Sequence, residues 1–247
     1  MARDNVADRV HLVGNPIVNW YLVEDDDGVT AVDAGFPADW SRCKSTLQRL
    51  GRRPEDLKAV VLTHGHIDHL GFADMARKEV GARILVPEGD AELAASPLKA
   101  AKSERNPILY LHLLGTLKVY GYALATGGVR GKLIGDFERY RDGDVLDVPG
   151  RPHAIFAPGH TAGHMVLHIP ERDVLFVGDA LVTKDPYSER SGPRIVARAA
   201  TLDSAQNKRS LDALERTGAR VLLPGHGDPW DRGAAEACRL AREAPVA

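Results

Sequence analysis

The chain has 247 residues, of which 44% are hydrophobic and 27% charged, and its formal net charge is -2. This balance allows a sizeable buried core and excludes wholesale disorder, and the near-neutral charge argues against a general nucleic-acid binder. The two cysteines, Cys43 and Cys238, are far apart, which argues against a disulfide framework and against a thiolate metal site. The N-terminal sequence MARDNVADRV has no apolar core and does not resemble a signal peptide, so a cytoplasmic protein is expected.

The first third of the chain alternates between strand and helix patterns. VHLVG and NWYLVED are rich in strand formers, and the turn DDG joins NWYLVED to VTAVDAG in a predicted hairpin. DWSRCKSTLQRLG has the apolar spacing of an amphipathic helix that stops at Gly51, and LKAVVLTH is typical of a buried strand. A helix is predicted from Asp68 to Gly81, and the buried strand ARILVP follows it.

The middle of the chain, at about 88–135, is different in character. Its long apolar run NPILYLHLLGTLKVYGYALATGG favours a helix, but two glycines and a lysine interrupt it, which makes it too short to span a membrane. Core packing is the first expectation for this run, with a lid or a dimer face as alternatives. Tyr110, Tyr120 and Tyr122 could line an acyl pocket. We therefore predict one domain over 1–247 with a mainly helical insertion.

The last third alternates again. DVLDVPG, HAIFAPGH and MVLHIPERDVLFVGDAL have strand patterns, and the helix DSAQNKRSLDALERTG, the strand ARVLLPGHG and the helix RGAAEACRLAREA follow them. Strands therefore come in two groups, each followed by helices. This order predicts an α/β protein in which two packed sheets carry helices on their outer faces.

The stretch VVLTHGHIDHLGF concentrates the residue types that bind metals. His64 and His66 leave a strand at spacing i, i+2, and Asp68 and His69 stand where the next helix begins. Imidazole and carboxylate groups are ligands that zinc and similar divalent metals accept. The alternative is that Asp68 caps the helix. Three histidines and a carboxylate within six positions favour the metal site.

Three further candidates follow apolar strands in the same way. IFAPG precedes His160, VLFVG precedes Asp179 and RVLLPG precedes His226. Seven nitrogen and oxygen ligands suit two metal ions that share one carboxylate. Asp33, in VDAG, could orient a ligand histidine or stabilise a turn, and His164 could form a hydrogen bond near the site, although a structural role is the first expectation for it.

THGHIDHLG, followed in order by GHTAGH, GDA and PGHG, resembles the metallo-β-lactamase superfamily over nearly the whole chain. The resemblance implies a four-layer αβ/βα sandwich with the metals at one edge. It also implies one metal held by His64, His66 and His160, a second held by Asp68, His69 and His226, and Asp179 as the bridge between them. Asp68 and Asp179 are the residues predicted to be catalytic.

The ligand set and the resemblance together predict a dinuclear metal-dependent hydrolase. A metal-bridging hydroxide would attack the carbonyl of an ester, thioester, lactone or amide. Zn²⁺ is expected at both positions, with Fe or Mn as alternatives. The expected partner is a small-molecule substrate, with neither nucleic acid nor membrane, and a homodimer could form through the apolar insertion. The alternative functions are a mononuclear iron persulfide dioxygenase and a metal-dependent phosphodiesterase.

Differences between this chain and individual branches of the superfamily narrow the range of expected substrate classes. Branches with a cysteine in the second metal site are disfavoured, because Asp179 stands in its place. Glutathione thioesters are disfavoured because only residues 227–247 follow the last ligand. The acyl-homoserine lactonases usually place a tyrosine three residues after the bridging aspartate, where this chain has Val182.

Overall fold

The computed structural model describes residues 2–128 and 134–247. The strands in these residues are β1 (Ala2–Ala7), β2 (Val10–Gly14), β3 (Asn19–Asp25), β4 (Gly28–Val32), β5 (Leu57–Val61), β6 (Arg83–Pro87), β7 (Glu138–Tyr140), β8 (His153–Phe156), β9 (Met165–Ile169), β10 (Val174–Gly178), β11 (Val182–Lys184), β12 (Ser191–Arg194) and β13 (Val221–Pro224). The helices are α1 (Asp39–Arg49), α2 (Ile67–Leu70), α3 (Ala73–Val80), α4 (Ala91–Ala95), α5 (Pro97–Ala100), α6 (Leu114–Ala125), α7 (Ser204–Arg216) and α8 (Ala234–Glu243).

The strands form two main sheets and a small ribbon. The first sheet has the order β1-β2-β3-β4-β5-β6-β7; its neighbours are antiparallel as far as β4 and parallel from β4 to β7. The second has the order β13-β10-β9-β8, with β10 parallel to β13 and antiparallel to β9. The antiparallel pair β11 and β12 forms the ribbon. The predicted hairpin is confirmed as β3 and β4.

Three buried clusters show how the layers pack. Tyr21, Val61 and Phe176 belong to the cluster between the two sheets. A second cluster joins the first sheet to α1 and α3, and it includes Trp20 and Trp40. A third joins the second sheet to α7 and α8. The order of layers is therefore helices, sheet, sheet, helices, which confirms the predicted four-layer sandwich.

Parallel strands bring the ends of distant segments to one edge of the sandwich. β4, β5 and β6 run in the same direction, and Asp33, His64 and Asp90 come shortly after their last residues. In the second sheet β10 and β13 are parallel, and Asp179 and His226 come shortly after them. The carboxyl ends of parallel strands are where open α/β sheets place their ligand sites.

The prediction of one continuous helix from Asp68 to Gly81 is wrong in one respect, because the helix is broken at Gly71. The backbone N–H of Gly71 donates to the Gly35 carbonyl at 2.9 Å instead of continuing the helix. A Cβ at Gly71 would overlap the backbone of Phe36, so only glycine allows this approach. Two helices, α2 and α3, result, and α3 ends at Gly81 with φ 74°. Asp68 is not a cap, since the N-cap position of α2 is His66.

DVLDVPG is not a strand. Within it only Val145 forms a bridge, to His153. This stretch instead makes turns that are closed by backbone hydrogen bonds, such as the 2.9 Å bond from Val148 N–H to the Leu146 carbonyl.

The chain between β6 and β7 contains α4, α5 and α6, and the predicted insertion at about 88–135 includes 129–133, which lie outside the described residues. The boundaries of the insertion stay a prediction. The expectation of core packing is wrong for much of its apolar run: Leu109 is 63% exposed and Leu124 is 69% exposed. Tyr110 is buried, whereas Tyr120 is exposed. Within the described part of the chain, no helix has the length and apolar character needed to cross a membrane.

Candidate metal centre

The structure brings all seven predicted ligands together at the edge where the parallel strands end. Three groups place one ligand atom from each member within 4.8 Å of the others. The groups are His64, His66 and His160; His64, His69 and Asp179; and Asp68, His69 and His226. The first and last groups have the composition of the two predicted metal sites.

Asp179 lies between these two groups. Its Oδ2 atom is 3.5 Å from Nε2 of His160 and 3.1 Å from Nε2 of His226, while its Oδ1 atom is 3.6 Å from Nε2 of His69. Its carboxylate therefore faces histidines of both groups. In the first group, Nδ1 of His66 and Nε2 of His160 are only 2.9 Å apart.

The second ring nitrogen of several histidines is held by the protein. Nδ1 of His69 donates to Asp33 Oδ2 at 2.9 Å, and Nδ1 of His226 donates to the Ile17 carbonyl at 2.7 Å. Nδ1 of His64 is 3.0 Å from the hydroxyl of Thr63. Partners of this kind fix the tautomer and leave Nε2 of each ring directed at the cluster, as metal-binding histidines require.

Unpartnered buried atoms test whether these residues fit a metal. Nε2 of His64, Nε2 of His69 and Oδ1 of Asp179 are buried without a hydrogen-bond partner. Leaving such atoms unpaired costs about 1–3 kcal/mol each, and buried polar groups in proteins are almost always satisfied. All three belong to one of the convergent groups, so the donor set fits a metal ion that would satisfy them.

Comparisons with known proteins agree with this geometry. A family model described as the metallo-beta-lactamase superfamily matches residues 13–226. The chain belongs to the metallo-β-lactamase superfamily. The superfamily resemblance and the αβ/βα fold predicted from the sequence are thereby confirmed, and so is the class of metal-dependent hydrolase.

Individual relatives of this superfamily member are distant. The uncharacterized protein YobT of Bacillus subtilis is 27% identical over 164 residues, which are 66% of this chain and only 61% of YobT. The N-acyl homoserine lactonase AttM of Azorhizobium caulinodans is 27% identical over 237 residues, which cover 90% of this chain and 73% of AttM. The crystal structure of a metallo-beta-lactamase family protein from Thermus thermophilus matches with a TM-score of 0.68 and 25% identity, and covers 96% of this chain and 79% of that one.

Burial favours the neutral form of three histidines in the candidate metal centre. Burial and the neighbouring imidazoles hold the pKa of His64 well below its usual range, and burial does the same for the pKa of His160. Burial also lowers the pKa of His66. A neutral imidazole has a free lone pair, so the first group is ready to bind a metal at neutral pH without losing a proton.

The histidines of the second group have raised pKa values instead. Burial alone would lower the pKa of His69, but Asp33, Asp68 and Asp179 raise it to about 10. Burial likewise opposes a charge on His226, yet Asp179 and Asp68 raise its pKa. Burial would raise the pKa of Asp179, but His226 and His69 lower it strongly. The carboxylates of Asp33, Asp68 and Asp179 thus favour positive charge at the place where a metal ion would bind.

The two residues suggested as supports lie directly behind the ligands. Asp33, which has a positive φ of 61°, accepts hydrogen bonds from Thr63 N–H at 2.8 Å, from the Thr63 hydroxyl and from His69. Nε2 of His164 accepts a 3.1 Å hydrogen bond from the backbone N–H of Asp179, and burial lowers the pKa of His164 to about 3. Neither side chain belongs to a convergent group of ligands.

Sequence reasoning missed Asp90, a buried carboxylate that joins two of the ligand loops. It accepts hydrogen bonds from the backbone N–H of Gly65 at 2.9 Å, from the Thr161 hydroxyl at 2.6 Å and from the backbone N–H of Gly163 at 2.7 Å. These bonds tie the loop of His64 and His66 to the loop of His160. Asp90 comes shortly after β6, so its place at the end of a parallel strand was the signal that could have revealed it.

A cavity of about 310 Å³, the inner pocket, opens onto the cluster. One side is formed by five of the predicted ligands, His66, Asp68, His160, Asp179 and His226. The other side is mainly apolar and includes Phe36, Ile67, Val119, Tyr120 and Tyr187. Tyr187 was also missed from the sequence. Val182, where lactonases have their tyrosine, is fully buried in β11 and does not line the pocket.

Proposed function

We propose that the chain is a dinuclear hydrolase of small carboxylic esters, thioesters, lactones or amides. The observation that carries the proposal is the pair of convergent ligand groups with Asp179 between them. His64, His66 and His160 would hold one divalent ion and Asp68, His69 and His226 the other, with Asp179 contacting both. Zn²⁺ suits this imidazole and carboxylate set, and Fe or Mn are the alternatives.

Two bound metal ions would make hydroxide available from water near neutral pH and polarise the carbonyl oxygen of the substrate. In the overall reaction the oxygen of water forms a bond to the carbonyl carbon, and the bond from that carbon to the leaving oxygen, sulfur or nitrogen breaks. A proton from water ends on the leaving group. Asp68, whose side chain is 16% exposed and lines the inner pocket, would carry that proton.

The inner pocket would bind the acyl group of the substrate and exclude water from around it. Ile67 and Val119, which are partly exposed, offer an apolar surface for an acyl group beside the ligands. Burial and the nearby hydroxyl and carboxylates hold the pKa of Tyr187 well above its usual range, so its hydroxyl stays protonated and can donate a hydrogen bond to a substrate oxygen. AttM, the lactonase relative, supports lactones as members of the test panel.

The test joins metal analysis to a substrate panel. We expect two metal ions per chain, loss of hydrolysis on chelation and its return when Zn²⁺ is added. The panel contains lactones, thioesters, β-lactams and bis-nitrophenyl phosphate. One iron per chain with oxygen consumption on a persulfide would instead support the dioxygenase. Activity on the phosphodiester without any on carboxylic esters would support the phosphodiesterase.

A further inference from the structure

A second cavity adjoins the inner pocket. This side cleft has a volume of about 790 Å³ and is lined by residues that include Asn15, Leu117, Lys118, Gly121, Lys184 and Glu189. His226 and Pro186 line both cavities. The two cavities therefore meet at one of the predicted ligands, and the cluster is reached from both.

α6 is the wall between the cavities. Leu117, Lys118 and Gly121 face the side cleft, while Val119 and Ala123 line the inner pocket. This division follows the helical period, because residues four apart share a face. The start of α6 is fixed close to the loop that carries Tyr187: a Cβ at Gly115 would overlap the carbonyl oxygens of Pro186 and Tyr187.

The side cleft also differs from the inner pocket in charge. Lys118 pairs with Glu189 at 2.7 Å, and Lys184 is 3.9 Å from the same Glu189 oxygen. Arg3 pairs with Asp228 at 2.6 Å. Three cations thus face two carboxylates. Lys184 has three N–H donors, and within residues 2–128 and 134–247 its ion-pair contact is the distant one to Glu189, so it has capacity for another anionic group.

We propose that the substrate has two arms and lies across the cluster, with an apolar acyl arm in the inner pocket and a carboxylate-bearing arm in the side cleft. The inference rests on the proposed hydrolase function and specifies its substrate class. The scissile carbonyl would sit at the inner pocket, which contains five predicted ligands. The departing alcohol, thiol or amine would carry the carboxylate past His226 towards Lys184.

A matched pair of substrates tests the charged arm. O-hexanoyl lactate carries a carboxylate, and O-hexanoyl lactamide is its neutral equivalent; hexanoate release is measured for both. We expect kcat/KM to be about tenfold higher for the lactate ester, the value of one added charge-assisted hydrogen bond. Lys184→Met should reduce this ratio towards one, whereas Lys78→Met, at an exposed lysine that lines neither cavity, should leave the ratio as it is.

Two further variants test the two arms separately. Gly121 lies in α6 and lines the side cleft, and outside the helix's own backbone no atom of the described residues stands within 4 Å of the position that a Cβ would take there. Gly121→Trp is designed to place an indole ring in the side cleft. We expect it to raise KM for the lactate ester at least about tenfold, and Gly121→Ala, the control for the loss of glycine, to leave KM within about twofold. Ala101→Trp, at the exposed rim of the inner pocket, should instead impair hexanoyl esters more than acetyl esters.

Failure of this inference and failure of the hydrolase function are distinguishable. Ethyl acetate reports the hydrolase alone, since it occupies neither arm, and calorimetric binding of ether analogues of the two lactate-derived esters reports the arms without turnover. An equal affinity of the wild-type protein for both ether analogues, or equal effects of Gly121→Trp on ethyl acetate and on the lactate ester, would overturn the two-armed substrate. Hydrolysis of none of the esters, with the binding preference intact, would overturn only the function.

Discussion

The sheet edge that carries the predicted ligands and the segment 97–125 above the inner pocket are built in opposite ways. At the edge, His64 and His69 are completely buried, and hydrogen bonds to the Asp33 carboxylate and the Ile17 carbonyl fix ligand rings from behind. In the segment, Leu109 and Leu124 are mostly exposed. Substitutions at the edge are therefore expected to disturb the metal ligands, whereas substitutions in the segment should change what the pocket accepts.

Asp179→Ala should have the largest effect, because the Asp179 carboxylate faces both ligand groups. We expect kcat/KM to fall more than about 100-fold, beyond the loss typical of residues behind the ligands. Metal content, measured by elemental analysis, should fall below two ions per chain. Full activity and full metal content would contradict the bridging role. Asp231→Ala, at an exposed carboxylate, is the control.

Asp33→Ala should come next. It removes the acceptor for His69 Nδ1 and for the backbone N–H of Thr63. We expect metal affinity to fall about 10- to 100-fold, measured by competition with a chromogenic chelator. Asp33→Asn keeps an acceptor oxygen and tolerates the positive φ, so it should recover part of the loss. Equal metal affinities of the alanine variant and the wild type would rule out the supporting role.

Asp90→Ala tests the junction between the two ligand loops. Removing its carboxylate leaves the N–H groups of Gly65 and Gly163 without their partner. We expect the free energy of unfolding to fall by about 1–3 kcal/mol, measured by denaturant titration, and metal affinity to fall about tenfold. Thr161→Val, which removes only one of the three donors, should have a smaller effect. A loss of stability with metal affinity unchanged would show that the two loops hold their ligands independently.

The smallest effect on the metal centre is expected from the exposed segment. The homodimer predicted through the apolar insertion, which includes this segment, stays a proposal, supported by exposed Ile108, Leu109, Leu114 and Leu124. Leu109→Asp with Leu124→Asp should shift a dimer to the monomer in sedimentation experiments and leave the metal content unchanged. A wild-type protein that is monomeric at all concentrations would disprove the dimer. Loss of metal in the double variant would contradict the expectation that substitutions in the exposed segment leave the metal centre unchanged.

Much of the fold was predictable because its signals are local. The hairpin of β3 and β4, the buried strands β5 and β6 and the helices α7 and α8 follow from apolar period and turn residues. The break at Gly71 was not predictable, because its cause is the backbone of Phe36, which is distant along the chain. β11 and β12 were not predictable either, because strands of 3 and 4 residues are too short to have a distinct alternating pattern.

The ligands of the candidate site could be predicted from the sequence, but the residues that support them and line the pocket could be predicted only in part. Histidine and aspartate at strand ends have a recognisable pattern, so all seven residues that the structure brings together could be named from the sequence. Asp90 and Tyr187 could not, since a single carboxylate or tyrosine in a loop has no distinctive spacing. Their importance comes from hydrogen bonds and burial that only the folded chain creates. The exposure of the apolar run was missed because hydrophobicity favours burial but does not show which surface would cover these side chains.

The predicted ligands come from both sheets of the sandwich. His64, His66, Asp68 and His69 follow a strand of the first sheet, while His160, Asp179 and His226 follow strands of the second. A metal ion held by both sets would clamp the two sheets at their common edge and could bind strongly only after they dock. Free metal would then shift the folding equilibrium, by about 2.7 kcal/mol at 100 times its dissociation constant. The catalytic ion would thus also stabilise the folded state. A chelator should therefore lower the melting temperature together with the activity.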